Sequence, residues 1–323
     1  MKNNSNLKVI VNSKNQLNLY GYNNYFNSFI KLFKNNKLPN TILFTGLKGL
    51  GKSTFAYHFI NYLLSSNEDK KYSIEKFSID PFNKSYLGIC NNTHPNFYLL
   101  DNAENEENIK IDQVRNILKF LNKTTYNSNT KIVLIDNAEY LNLNSANALL
   151  KTLEEPPKNT FFFIIHNSSF KIPDTVKSRC VEFSFFFNSI EKREILSNLI
   201  NQYDLNFSHK NLDEVFYYQG PGNLLRYILS INEIESEKLS DRLYCISYLI
   251  DKYKKKRDPI LLNFISMLIE VFYSDLSIKK TSNFNIYFHN KFKIMKQFNE
   301  IKKYNLDKNN FFINLLGILK NET

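Results

Sequence analysis

The sequence of 323 residues contains no tryptophan, three cysteines, three methionines and eight glycines. Cys90, Cys180 and Cys245 are scattered, which fits a reducing, cytoplasmic setting. Met1–Leu19 is polar, so no secretory leader is expected. No apolar run reaches the length of a membrane span, and no membrane partner is expected. There are no internal repeats.

What is present in quantity is aromatic and basic. Phe (28) and Tyr (20) bring the aromatic share to 15%, and 43% apolar content is enough for real cores. The length suits two or three domains. The formal net charge is +11. That charge suits a nucleic-acid or acidic-protein partner, or reflects only a chain rich in Asn and Lys throughout. From Ser247 to Thr323 basic residues are twice as numerous as acidic ones, and Lys252–Arg257 (KYKKKR) is the densest cluster. Phosphate contact and a solvated helix face both account for it.

Three of the eight glycines fall in one stretch, Thr41 to Leu64 (TILFTGLKGLGKSTFAYHFINYLL). Thr41–Thr45 is a short apolar run that predicts a buried strand. Gly46, Gly49, Gly51, Lys52 and Ser53, followed by Thr54, form an intact Walker A pattern. Its glycines let the loop turn its amides inward, and with the next helix N-terminus they make a nest for anionic oxygens. Lys52 brings a cation to the outer phosphates, and Ser53 is the expected Mg²⁺ ligand. The bland alternative is a glycine-rich turn before a helix. The order strand, loop, Lys-Ser, helix argues for ATP or ADP with Mg²⁺.

Elsewhere, Tyr22–Asn36 carries aromatic residues on one helical face and stops at Leu38-Pro39-Asn40. Residues 65–93 are polar and read as an insertion or loop, and Asn96–Leu100 as a strand. The acidic Asp101–Asn108 reads as a loop, and Ile111–Leu121 as a helix. Lys131–Asp136 predicts a strand, and Asn144–Glu155 a helix stopped by Pro156-Pro157. Thr160–His166 predicts a buried strand, Val176–Cys180 a short helix, and Val181–Phe187 a fifth strand. Alternating strands and helices imply an α/β sheet with right-handed crossovers. Beyond Asn188 the pattern turns helical: Ser189–Tyr203, Asn211–Phe216, Gly222–Ile234, then continuously from Leu239 with breaks at Asp258-Pro259 and Ser274–Asn285.

Asp136 ends an apolar strand downstream of the loop, the place for a carboxylate that holds Mg²⁺ through water. A strand-ending Asp that caps a turn is the alternative. The next residue is Asn137, whose amide accepts no proton, so hydrolysis is doubtful. Glu139 is the nearby substitute, of unknown reach. Asn167 follows the fourth strand and is either a γ-phosphate sensor or a loop residue. Arg179, in Ser178-Arg179-Cys180, is either an arginine finger for a neighbour's ATP or a surface arginine in an ion pair.

The segments around the Walker A loop, THPNFYLL, KIVLIDNAEYLNLNSANALLKTLEEPPKNTFFFIIHNSS and VKSRCVEFSF together resemble the AAA+ clamp-loader family, over residues 18–230. Within it they are most similar to the δ′-type subunits of bacterial DNA polymerase III. The LNLNSANALLKTLEEPP run and SRC are its most specific parts.

The resemblance implies a RecA-like AAA+ nucleotide-binding domain (1–187), a helical lid (188–238) and an all-α collar domain for oligomerisation (239–323). It implies a heteropentamer with γ/τ and δ subunits that places the β sliding clamp on primed DNA in the cytoplasm, near the nucleoid. Arg179 would act in trans, and Gly46, Gly49, Gly51, Lys52, Ser53, Thr54 and Asp136 would form this chain's own nucleotide and Mg²⁺ site. Many relatives carry a four-cysteine zinc module. Here only Cys90 and His94 remain, too few for a tetrahedral site, so no zinc is expected. The segment from Gly220 to Arg226 has Asn223 where hydrolysing relatives have a sensor arginine. The expectation is a ring member that binds nucleotide with little or no turnover and is not itself the polymerase. The rivals are a γ/τ-type motor ATPase, an unrelated P-loop kinase or NTPase, and a scaffold with a relict loop.

Overall fold

The computed structural model describes residues 12–102, 108–123, 130–205, 207, 212, 219–279, 284–304 and 306–322. The chain divides into two compact units, Met1–Leu199 with Gln219–Leu224, and Ile200–Tyr218 with Leu225–Thr323.

In the first unit a five-stranded sheet runs in the order β2-β3-β4-β1-β5. The strands are β1 (Thr41–Gly46), β2 (Phe97–Leu100), β3 (Lys131–Ile135), β4 (Thr160–Asn167) and β5 (Val181–Ser184). Every pairing is parallel. Parallel strands need crossovers and covered faces, and the sequence supplies both. Helices α1 (Asn23–Lys34) and α2 (Lys52–Leu64) cover one face, and α4 (Ile111–Leu121) and α5 (Leu143–Glu154) the other. Side chains alternate between the faces as a pleated strand requires. Ile42, Phe44, Ile132, Leu134, Phe163 and Ile165 pack with α1 and α2, whereas Leu43, Val133, Ile135, Phe162 and Ile164 pack with α4 and α5. The α/β class expected from the sequence is therefore observed.

Element limits differ in instructive ways. Residues 65–93 are not simply a loop: they contain α3 (Lys84–Cys90). Its start is set by its own N-cap, Asn83, and by Glu68 from outside the helix. The Asn83 Oδ1 accepts from the Tyr86 N–H at 2.6 Å and from Asn61 Nδ2 at 2.8 Å. The Glu68 carboxylate accepts from the N–H groups of Lys84 and Ser85 at 3.0 and 3.1 Å. His58 is buried between the Tyr72 hydroxyl and the Gln16 carbonyl, both at 3.0 Å, and burial pushes its pKa down to about 3. The Cys90 Sγ lies 3.4 Å from Asn15 Oδ1, and His94 Nδ1 accepts from the Asn96 N–H. The short helix of the SRC region, α6, is Asp174–Lys177, ahead of the expected Val176–Cys180. Strand β5 is shorter than Val181–Phe187 because Phe185 and Phe187 turn into the aromatic core around Tyr22. Lys131, the first residue of β3, buries its ammonium on the last carbonyls of α4, at 2.6 Å from Leu121 O. That adds a cation to a helix end already capped by the Asn122 N–H on Leu118 O and Phe120 O.

Helix α7 (Ser189–Gln202) leads out of the first unit, and α8 (Pro221–Ile231) begins at a proline, a residue suited to a first helical turn. The expected turn at Gly220-Pro221-Gly222 is thus already helix by Pro221. Of the helix expected at Asn211–Phe216, all but Leu212 lies outside the described residues.

The second unit is helical: α9 (Arg242–Lys256), α10 (Pro259–Lys279), α11 (Phe284–Tyr304) and α12 (Lys308–Glu322). Aromatic pairs join them, Tyr253 with Phe312 and Phe298 with Phe311, at ring distances of 5.7 and 5.6 Å. Helix α10 runs through the break expected from Ser274 to Lys279, and residues 280–283 are not described. Pro259–Ile278 is long and apolar enough to span a membrane, with a mean hydropathy of 1.5, contrary to the sequence reading. Its residues Leu261, Leu262, Phe264, Ile265, Leu268 and Ile269 are buried within the unit, as in a core helix. In the basic cluster, Lys252 is committed to Ser230 O at 2.8 Å, Tyr253 is in the core, and Lys254–Arg257 are exposed.

Candidate functional site

The C-terminal ends of β1, β3 and β4 converge on one place. Strand β1 ends in Gly46, and the following loop reaches α2 at Lys52. Gly49 and Gly51 have φ of +83° and +93°, the left-handed region that a side chain disfavours.

Every carbonyl from Gly46 to Gly51 accepts a hydrogen bond from the protein. Lys52 Nζ donates to Gly46 O and Leu47 O, both at 2.8 Å. Asn223 Nδ2 donates to Lys48 O at 3.2 Å, and the Gly222 N–H to Gly49 O at 2.8 Å. The Tyr22 hydroxyl donates to Leu50 O at 3.0 Å, and the Phe55 N–H to Gly51 O at 2.9 Å. Conversely, among the described residues none of the backbone N–H groups from Leu47 to Thr54 donates to a protein acceptor. Those of Lys52, Ser53 and Thr54 belong to the first turn of α2, where no helical partner exists and Gly51 offers no side-chain cap. A run of unpaired N–H groups at a helix N-terminus is chemically a receptor for a polyanion.

The segment at Gly220–Asn223 fits tightly over this loop. A Cβ on Gly220 would lie 2.3 Å from the Gly49 carbonyl carbon, and one on Gly49 would lie 2.6 Å from the Asn223 side chain. Only glycine permits this approach at both positions.

The Lys52 ammonium is buried, and burial lowers its pKa to about 8 against the opposing pull of Glu139 and Asp136. Ser53 Oγ donates to Asp136 Oδ1 at 3.2 Å, so hydroxyl and carboxylate are adjacent, as a shared Mg²⁺ would need. Asp136 is enclosed and lies near Asp101 and Glu139, and burial leads in raising its pKa to about 6. Among the described residues no group of three His, Cys, Asp or Glu side chains is placed to hold a metal by itself. The donor set of free amides, one ammonium, one hydroxyl and one carboxylate fits a Mg²⁺-bound nucleotide phosphate: Ser53 and Asp136 would hold the ion, the loop and Lys52 the phosphates.

Asn167 lies opposite Gly46 in the β1–β4 register, so it stands at the entrance to the loop. Its side-chain oxygen accepts from the Ser169 N–H at 3.2 Å, and its own N–H donates to Glu139 Oε2 at 3.1 Å. Thr54 is in the first turn of α2. The structure therefore brings together Gly46, Gly49, Gly51, Lys52, Ser53, Thr54, Asp136 and Asn167.

Arg179 is not among them. Val181, two residues later, pairs with Ile42 near the start of β1, while the loop begins at Gly46, the end of β1. Along a strand that separation is about 13 Å. Arg179 donates through Nε to Glu154 Oε2 at 3.2 Å and through Nη1 to Thr175 O at 3.0 Å. In the single chain it is thus the ion-paired surface arginine weighed above, at the edge of the sheet away from its own loop.

Two contributors were not apparent in the sequence. Tyr22 reaches Leu50 across 28 residues, and nothing local marks it. Asp101, read as part of an acidic loop, accepts from Asn137 Nδ2 at 2.9 Å. Its one signal is its place directly after β2, the neighbour of β3.

The family model described as DNA polymerase III, delta subunit, matches residues 21–188, more than half of the chain. DNA polymerase III subunit delta′ of Pseudomonas aeruginosa is 34% identical over 140 residues, 43% of this chain and 41% of that one. Subunit delta′ of Escherichia coli is 28% identical over 162 residues, 48% of this chain and 45% of that one. Subunit tau of Bacillus subtilis is 33% identical over 153 residues, 46% of this chain and 25% of that one. The matched region thus spans less than half the length of each of these three relatives. With the glycine loop, Asp136 and the SRC segment inside the matched span, the chain belongs to the DNA polymerase III delta subunit family of clamp-loader proteins and is δ′-like.

Proposed function

We propose that this chain is a δ′-type clamp-loader subunit. It binds ATP or ADP with Mg²⁺ in its own loop and lends Arg179 to the nucleotide of an adjacent γ/τ-type subunit. With γ/τ and δ partners it helps to place a sliding clamp on primed DNA in the cytoplasm. The observation that carries the reading is the placement of Arg179. It lies about 13 Å or more along the sheet from its own loop, tied among the described residues to Glu154 and to Thr175 O. A group so placed is available to a neighbour and not to its own nucleotide. The exposed partner makes the tie weak, since ion pairs of this kind contribute about 0–1 kcal/mol.

The test is Arg179→Ala in a loader reconstituted with γ/τ and δ subunits. Clamp- and DNA-stimulated ATP hydrolysis is expected to fall about 10³-fold or more at the affected site, the scale of a lost arginine finger. Nucleotide affinity of the isolated chain should stay within twofold. A complex whose hydrolysis is indifferent to Arg179→Ala would favour the γ/τ-type motor instead. That second reading draws on one observation, the complete amide cradle, which a purely trans-acting subunit would not require.

A further inference from the structure

The position after Asp136 holds an amide, yet the site does not lack a third carboxylate. Asn137 adopts φ of +56° and turns its amide toward Asp101 at 2.9 Å, away from the loop. The chain then makes one 3-10 turn, Ala138–Tyr140. This carries Glu139 to the end of β4, where Oε2 accepts from the Asn167 N–H at 3.1 Å. Asn167 faces Gly46 across the sheet, and the neighbouring Ser168 N–H donates to Gly46 O at 3.1 Å. Glu139 therefore stands at the entrance of the phosphate loop, near enough for its charge to act on both Asp136 and Lys52. One oxygen is fixed by a backbone group; among the described residues Oε1 has no donor. Its charge acts on the Lys52 ammonium more strongly than that of Asp136. Asp101 is the rival carboxylate, but it lies on the far side of β3 and acts on Asp136, not on Lys52.

We propose that Glu139, and not the residue next to Asp136, accepts the proton of the attacking water, so that this chain hydrolyses ATP slowly in its own site. The water oxygen bonds to the terminal phosphorus as the bond to the bridging oxygen breaks. ADP leaves with that electron pair, and the water's proton passes to Glu139 Oε1 and then to solvent. The products are ADP, phosphate and one proton. This rests on the nucleotide-binding part of the function proposed above, and not on Arg179.

The experiment uses the full chain with Mg²⁺ and compares wild type, Glu139→Gln and Asp101→Asn. It measures ATP and ADP affinity and single-turnover hydrolysis. Glutamine keeps an oxygen for the Asn167 N–H and removes only the charge. Glu139→Gln is expected to slow hydrolysis about 100-fold or more, the usual scale of a general base. It should also tighten ATP relative to ADP, because a like charge beside the terminal phosphate is gone. Equal weakening of both nucleotides would mark Glu139 as a structural brace and overturn the proposal. So would hydrolysis that survives Glu139→Gln, loss of hydrolysis in Asp101→Asn instead, or a wild type that binds ATP without turnover. A wild type that binds neither nucleotide overturns the cradle reading, and this inference with it.

Discussion

The two edges of the sheet solve opposite problems. At the carboxyl edge, every carbonyl of the Gly46–Gly51 loop is tied down, and among the described residues the amides from Leu47 to Thr54 have no protein acceptor. At the amino edge, Arg179 is held by one ion pair and one carbonyl, and Glu154 is largely exposed. The first arrangement is rigid and incomplete without an anion. The second is complete in itself but easily released. A polar group that is to receive a ligand must be held in place by its neighbours. One tied by a single exposed ion pair is easily freed.

The largest effect that would break this contrast is at Arg179 in the assembled complex, described above. On the isolated chain the same substitution should change stability by less than about 1 kcal/mol in denaturant unfolding. The next largest is Lys52→Ala. Loss of the charge-assisted contacts should weaken nucleotide binding by about 30-fold or more in a fluorescent-nucleotide titration. Retained affinity would mean that the amides alone hold the phosphates.

Gly220→Ala sharpens the comparison further. Its Cβ would meet the Gly49 carbonyl carbon at 2.3 Å, so the loop must shift. Overpacking of this kind costs about 1–3 kcal/mol, and both thermal stability and nucleotide affinity should fall. An unchanged melting temperature would show that the Gly220–Asn223 segment does not brace the loop. The smallest effect concerns pH. The Asp136 pKa is raised from 3.8 to about 6, so between these values the folded chain binds more protons than the unfolded one. Its contribution to stability is present below about pH 4 and is lost as pH rises through about 6. Mg²⁺-dependent nucleotide affinity should run the other way, rising until Asp136 is ionised. Asp136→Asn should flatten both slopes.

Much of the site was legible in the sequence, because a strand, a glycine loop and a helix in succession are local. Lys52, Ser53 and Asp136, read from spacing, do come together at the loop, whereas Arg179, read from the SRC segment, lies away from it. What escaped depends on partners far along the chain. Asn137 and Asp101 are 36 residues apart, and Lys48 and Asn223 are 175 apart. Helix α3 was hidden although its N-cap Asn83 is local, because it is short and its first turn is also held by Glu68, 16 residues away. The reach of Glu139 depended on the tight turn at Asn137, which residue identity alone does not fix. In the second unit the helical period was plain, but the extension of α10 to Lys279 overrode the break signal after Ser274.

The tied carbonyls of the phosphate loop have a thermodynamic consequence. Ordering a flexible backbone costs about 1–2 kcal/mol of conformational entropy per residue. In this loop the cost falls on folding, where Tyr22, Lys52, Gly222 and Asn223 already hold the backbone. A nucleotide that arrives later has little loop disorder left to remove, so that part of the cost of binding is already met on folding.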